Sequence, residues 1–90
     1  MFDECKEGDV IAIQTYSFPI VGVFVEANTV RVVIRDAVIV LFDGRHGEFA
    51  NKGKPPASAE IEATYPLQYI SLDEVRIWSP FPGGKVPKPQ

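Results

Sequence analysis

The side chains that most often carry chemistry are few in this chain of 90 residues, and their spacing limits what they can do. There is one cysteine, Cys5, and one histidine, His46. No intrachain disulfide can form, and a Cys/His zinc cage needs more ligands of those types than one chain holds. Asp43, His46 and Glu48 have the donor types for a cation. However, the surrounding stretch 43–58, DGRHGEFANKGKPPAS, has three glycines, two prolines and five charges, and it offers no rigid second shell. No metal site and no cofactor are expected. Catalysis lacks its parts as well, with no Ser/His/Asp pattern and no glycine-rich phosphate loop. Nor is there a carboxylate pair in an apolar setting, since Glu60 and Glu62 fall on the polar side of an alternating segment. Arg45, His46, Lys52 and Lys54 read as a solvated loop rather than a phosphate site. These residues predict a protein that binds and is not an enzyme.

Nine Lys plus Arg against twelve Asp plus Glu leave a net charge of −3 on a chain that is 46% hydrophobic and 23% charged. That is one small domain. The balance argues against a generic polyanion binder, whose affinity comes from a broad basic face, and leaves room for a small local nucleic-acid site. A chain of this length buries only about 60% of the surface its unfolded form exposes, so it leans on disulfides, metal or self-association. With the first two removed by counting, self-association is the support left. The N-terminal MFDECKEGD has four acids, one lysine and no apolar core, unlike a secretory signal. The longest apolar stretch, Ala37 to Phe42, is far short of the roughly 18 residues of a membrane-spanning helix. The expected location is the cytoplasm, with Cys5 reduced.

The elements that must position any site read as strands. Val10 to Gln14 and Ile20 to Ala27 are rich in β-branched residues and are separated by the turn-like TYSFP. Gly22 inside the second run predicts a bulge, a bend or a close backbone approach. After a turn at Asn28-Thr29, Val30 to Phe42 forms a long third strand. Its even positions are apolar except Asp36, where a bend is expected, and Arg31 and Arg35 lie on the other face. Beyond the 43–58 loop, Ala59 to Tyr69 alternates, with Tyr65, Leu67 and Tyr69 on one face of a half-buried fourth strand. Pro66 suits an edge strand. Ser71 to Glu74 makes a tight connection, Val75 to Trp78 is a short fifth strand, and 80–90, with four prolines and two glycines, reads as a flexible tail. The predicted fold is all-β with little or no helix: one domain over 1–79, built as a strongly bent five-stranded antiparallel small β-barrel. Its fourth and fifth strands would be open edges, and pairing one with the other in a neighbouring copy is a head-to-tail contact that closes into a ring when the rotation allows.

This organisation resembles the Sm and LSm-like proteins, the family that includes bacterial Hfq, over residues 8 to 78. Val10-Ile11-Ala12-Ile13-Gln14 sits where the family has its first strand, Gly22 falls where a glycine opens the second strand, and Asn28 holds the acidic or amide position six residues later. Val32 to Ala37 fits the third strand. Ile70-Ser71-Leu72-Asp73-Glu74-Val75 looks like the second Sm motif, with Ser71-Leu72 standing where Arg-Gly is usual.

The resemblance implies a homo-oligomeric ring of about five to seven copies. It also implies single-stranded RNA read at the ring's inner rim, where splayed bases are stacked and hydrogen-bonded. Carried over by position, the RNA-binding residues are Asn28, Arg31 and Ser71, with Asp73 nearby. Arg31 repeated around a pore would make a local positive collar on an acidic protein. The subunit contact would set Tyr65, Leu67 and Tyr69 of one copy against Val75, Ile77 and Trp78 of the next. The rival expectation is an oligomeric structural or protein-interaction module that has lost RNA binding.

Overall fold

The computed structural model describes residues 1–41, 60–81, 85 and 86. The basic loop and the Asp43/His46/Glu48 group lie outside them. Five strands form: β1 (Val10–Thr15), β2 (Pro19–Ala27), β3 (Arg31–Leu41), β4 (Glu60–Ser71) and β5 (Val75–Pro80), with one 3-10 turn at Leu72–Glu74 and no α-helix among the described residues. All neighbours are antiparallel, in the order β4-β3-β2-β1-β5. The sheet does not close on itself. β4 and β5 are its two edges, as expected for the fourth and fifth strands.

The bend is made where Gly22 and Asp36 meet. Val21 pairs with Val38 and Val23 with Arg35, so Gly22 alone faces both Asp36 and Ala37, which is a β-bulge. Asp36 takes a φ of 51°, in the left-handed region that Asp tolerates better than β-branched residues do. The extra residue switches the inward positions of β3 from even to odd. Val32 and Ile34 before the bulge and Ala37 after it share one core cluster, whereas Val38 and Val40 join a second cluster on the other side.

The main cluster draws residues from every strand, including Ile70 of β4 and Val75 of β5. Both edges can reach one core only because the sheet wraps around it. Its end is filled by Phe2, 5% exposed, which packs on Phe24 with ring centroids 6.2 Å apart and on Trp78 at 5.0 Å. Backbone bonds hold this N-terminal segment along β2: the Gly8 N–H donates to the Phe24 carbonyl at 2.9 Å and the Phe24 N–H to that of Asp9 at 2.7 Å. The indole Nε1–H of Trp78 donates to the Met1 carbonyl at 3.0 Å.

The second cluster joins Ala12, Val21, Val38 and Val40, all inaccessible to solvent, and it also takes in Phe81, which is 4% exposed, with Val86 packed against it. The Phe81 N–H donates to the Val10 carbonyl at 2.9 Å. The root of the proline-rich segment from 80 onward is therefore part of the domain. Pro80 ends β5 and Phe81 is a core residue, whose full burial contributes about 1.5–3 kcal/mol.

Candidate nucleic-acid interface

Two turns that are far apart in the chain meet at one end of the sheet. In the first, between β2 and β3, Asn28 is the organising residue. Its Oδ1 accepts from the backbone N–H of Val30 at 2.8 Å and of Arg31 at 2.9 Å, while its own N–H donates to the Arg31 carbonyl at 3.0 Å. In the second, Ser71 caps the 3-10 turn, and its Oγ accepts from the Asp73 N–H at 3.4 Å. The Leu72 N–H donates to the Val30 carbonyl at 2.9 Å, tying one turn to the other, and Arg31 lies opposite Ser71 in the β3–β4 register. Asn28, Arg31, Ser71 and Asp73 are thus all exposed residues of one small region.

Their chemistry is partly spent. The Asn28 carbonyl oxygen and the Ser71 hydroxyl oxygen serve their own turns, a common use of these residue types. Among the described residues no carboxylate pairs with Arg31, which lies over the ring of Tyr69 with its Cζ 4.6 Å from the ring centroid. A cation over an aromatic face at this distance gains about 0.5–1 kcal/mol when exposed. Tyr69 itself is 53% exposed, so part of its ring surface stays open to solvent. Asp73 and Glu74 crown the second turn and oppose an incoming phosphate.

Beside the Asn28 turn, an open groove of about 840 Å³ reaches the N-terminal segment, lined among others by Phe2, Cys5 and Phe24 and bearing the carboxylates of Asp3 and Glu26. Those carboxylates disfavour a polyanion there. Cys5 is half-buried, and its thiol is pushed above the ordinary value by burial first and then by Asp9 and Glu4, which favours the protonated form. A smaller cleft of about 170 Å³ lies between the β1–β2 turn and the end of β4, with Ser17, Gln68 and Glu74 on its walls. It is below the roughly 300 Å³ of ordinary small-molecule sites. Thr15 beside it is buried but satisfied: its Oγ1 donates to the Phe18 carbonyl at 2.7 Å and accepts from the Ser17 and Phe18 N–H groups. Among the described residues no three His, Cys, Asp or Glu side chains are grouped to hold a metal ion, and no helix is long and apolar enough to cross a membrane.

The six residues expected at a subunit contact divide into two sets. Tyr65, Leu67, Tyr69 and Ile77 are exposed, and the first three form an unusually apolar stretch for an edge strand. Val75 belongs to the main core, and Trp78 is half-buried against Phe2, so both are engaged within their own chain. Tyr65, Leu67 and Tyr69, expected on the half-buried side of β4, face solvent, and Ile70, next to Tyr69 in the chain, is in the core. Two partnerships lack a local signal in the sequence: Arg31 with Tyr69, and Arg76 with Tyr16, whose ring centroid is 5.9 Å from the Arg76 Cζ. Each joins different strands or turns and emerges only once the register is known.

Among the described residues, fold and site together define a small, open, five-stranded antiparallel sheet with β4 and β5 as its edges and a polar, arginine-bearing end. In comparisons with known proteins, no family model, no curated protein and no solved structure matches this chain.

Proposed function

We propose that this protein is a non-catalytic, Sm-like binding module. It assembles head to tail, β4 of one copy against β5 of the next, and takes single-stranded RNA at the end of the sheet where Asn28, Arg31, Ser71 and Asp73 meet. In the assembly each bent sheet becomes a small barrel sealed by its neighbours, and the ring places one Arg31 from each copy around a pore. The observation that carries this reading is the Leu72–Val30 hydrogen bond at 2.9 Å. It brings together two turns that the resemblance nominates independently, beside β4, an edge strand of the sheet. An open edge presents a row of unpaired backbone N–H and C=O groups that templates pairing with another chain, and β4 set against β5 of the next copy uses both edges.

Light scattering and RNA titration test the two halves of the proposal separately. A species several times the 10.0 kDa chain mass is expected; a monomer at micromolar concentration rejects the ring. Labelled oligo-U and oligo-A should bind saturably near physiological salt and lose affinity in Arg31→Ala, and absence of binding rejects the RNA assignment. A second reading, an oligomeric protein-interaction module, draws support from the commitment of the Asn28 and Ser71 oxygens to their own turns. It predicts the ring without the RNA.

A further inference from the structure

The register of β3 against β4 sets Arg31 opposite Ser71, Val33 opposite Tyr69 and Arg35 opposite Leu67. Residues directly opposite share a face, and diagonal neighbours lie within reach of long side chains. Tyr69 is therefore flanked by both arginines, and Leu67 lies beside the second. All four are exposed: Leu67 is 47% and Tyr69 53% accessible, and the Arg35 side chain 49%. Arg31 stacks on Tyr69. Among the described residues Arg35 pairs with the Asp36 carboxylate at 3.0 Å, an exposed pair of the kind that contributes little and exchanges readily. The alternative route away from the Asn28 turn passes Asp3 and Glu26, which repel phosphate.

We infer that the face of β3 and β4 carrying Arg31, Tyr69, Leu67 and Arg35 is a track for single-stranded RNA, which leads the chain away from the pore end across the outside of the sheet. The inference rests on the RNA-binding reading and extends its site. One base stacks on the open surface of Tyr69, Leu67 offers an apolar contact to the next, and the guanidinium groups take phosphates on either side. Arg31 and Arg35 are about 13 Å apart along an extended strand, a span that leaves room for these two bases between them. The occupant is chosen by charge: two arginines interleaved with apolar side chains suit a polyanion with planar bases. The track requires head-to-tail pairing to be made through the backbone edge of β4 alone, with Leu67 and Tyr69 outside the contact in which the resemblance sets them.

The test compares oligo-U of about four nucleotides, enough for the pore end, with oligo-U of about ten, enough for the track. The longer probe should bind at least about fivefold more tightly. Its salt dependence, plotted as log K against log salt, should lose about 0.7 of slope in Arg35→Ala, the share of one single-strand phosphate contact. Leu67→Ser should weaken the long probe and leave the short one unchanged, while Tyr69→Ala weakens both. These residues are exposed, so the variants should fold, and circular dichroism with light scattering checks that. Equal affinity for the two lengths, with Arg35→Ala silent, overturns the track and leaves Arg31-dependent pore binding standing. A change of oligomeric mass in Tyr69→Ala or Leu67→Ser without RNA also overturns it, since the face would then lie between copies. If neither probe binds, the track and the RNA-binding reading fall together.

Discussion

Gly22 and Ile34 face each other so closely that a β-carbon on the glycine would lie 2.9 Å from the Ile34 Cδ1 and 3.2 Å from its Cβ. The same added carbon would sit 3.2 Å from the Arg35 carbonyl oxygen, which is backbone and cannot rotate away. The glycine is what lets β3 cross β2 at the bulge and turn the sheet around its core.

Gly22→Ala should therefore destabilise the protein by about 1–3 kcal/mol, the usual cost of overpacking. Urea unfolding followed by Trp78 fluorescence measures it. Adding Ile34→Val removes the Cδ1 clash and leaves the carbonyl clash, so the double variant should recover part of the loss and not all of it. Full additivity of the two changes would show that the contact does not limit the packing.

At Asp36 the left-handed φ of 51° sets the opposite preference. Asp36→Gly should be neutral or slightly stabilising, because its exposed ion pair with Arg35 contributes little. Asp36→Val should cost about 1–2 kcal/mol or more, since a β-branched side chain meets its own carbonyl in that conformation. The difference in urea midpoint between the two variants reads the backbone strain directly.

Phe2 is the next sensitive point. It is 5% exposed and packs between Phe24 and Trp78, so Phe2→Ala should cost about 3–5 kcal/mol, a large part of the 5–15 kcal/mol that a small domain has in total. The emission of Trp78 should shift to the red in the variant as its ring is wetted. Phe2→Leu, which keeps an apolar plug, should recover most of the loss.

Of these features, the bulge was legible before the structure, because a lone glycine in one β-rich run and a lone acid in the next are rule-breaking residues with few uses. The edge position of β4 was legible too, since Pro66 has no amide hydrogen to give to a central ladder and favours an edge strand or a bulge. Phe2 was not: it sits in an acidic segment with no periodicity, and only tertiary packing makes it core. Phe81 was legible by type, as an aromatic beside Trp78 better suited to interface or core packing than to stacking on a base, and its place in the second core cluster agrees. The alternation of Tyr65, Leu67 and Tyr69 marks two faces of β4, and alternation alone does not say which face is inward. Arg31 over Tyr69 depends on register, where a slip of one residue moves a side chain to the other face.

Cys5 gives the chain a pH dependence at the alkaline end. Burial, with Asp9 and Glu4, raises the thiol above its ordinary value in the folded state. As pH passes the ordinary thiol value of about 8.5 the unfolded chain loses this proton first, so it binds fewer protons than the folded chain and stability falls. The contribution is complete below that value and is lost as pH rises through the raised one. Wild type should therefore lose stability relative to Cys5→Ser on going from neutral to alkaline pH, measured as the difference in urea midpoint. Alkylation of Cys5 by iodoacetamide should be slower in the folded protein than in urea at the same pH, and equal rates would show an unprotected thiolate.

Asn28 separates folding from binding, because its two side-chain ends do different things. Its Oδ1 accepts from Val30 and Arg31 and shapes the turn, whereas its Nδ2 is the donor that a base edge would use. Asn28→Ala removes both and should lower stability by about 1 kcal/mol through the lost turn bonds. Asn28→Asp keeps an acceptor oxygen in the same place, so its urea midpoint should stay near wild type. It lacks the donor and adds a negative charge beside Arg31, so its affinity for oligo-U should fall by at least as much as that of Asn28→Ala. If Asn28→Asp folds normally and binds oligo-U as well as wild type, the residue is a turn-former alone, and RNA recognition at this end of the sheet must rest on Arg31 and Tyr69.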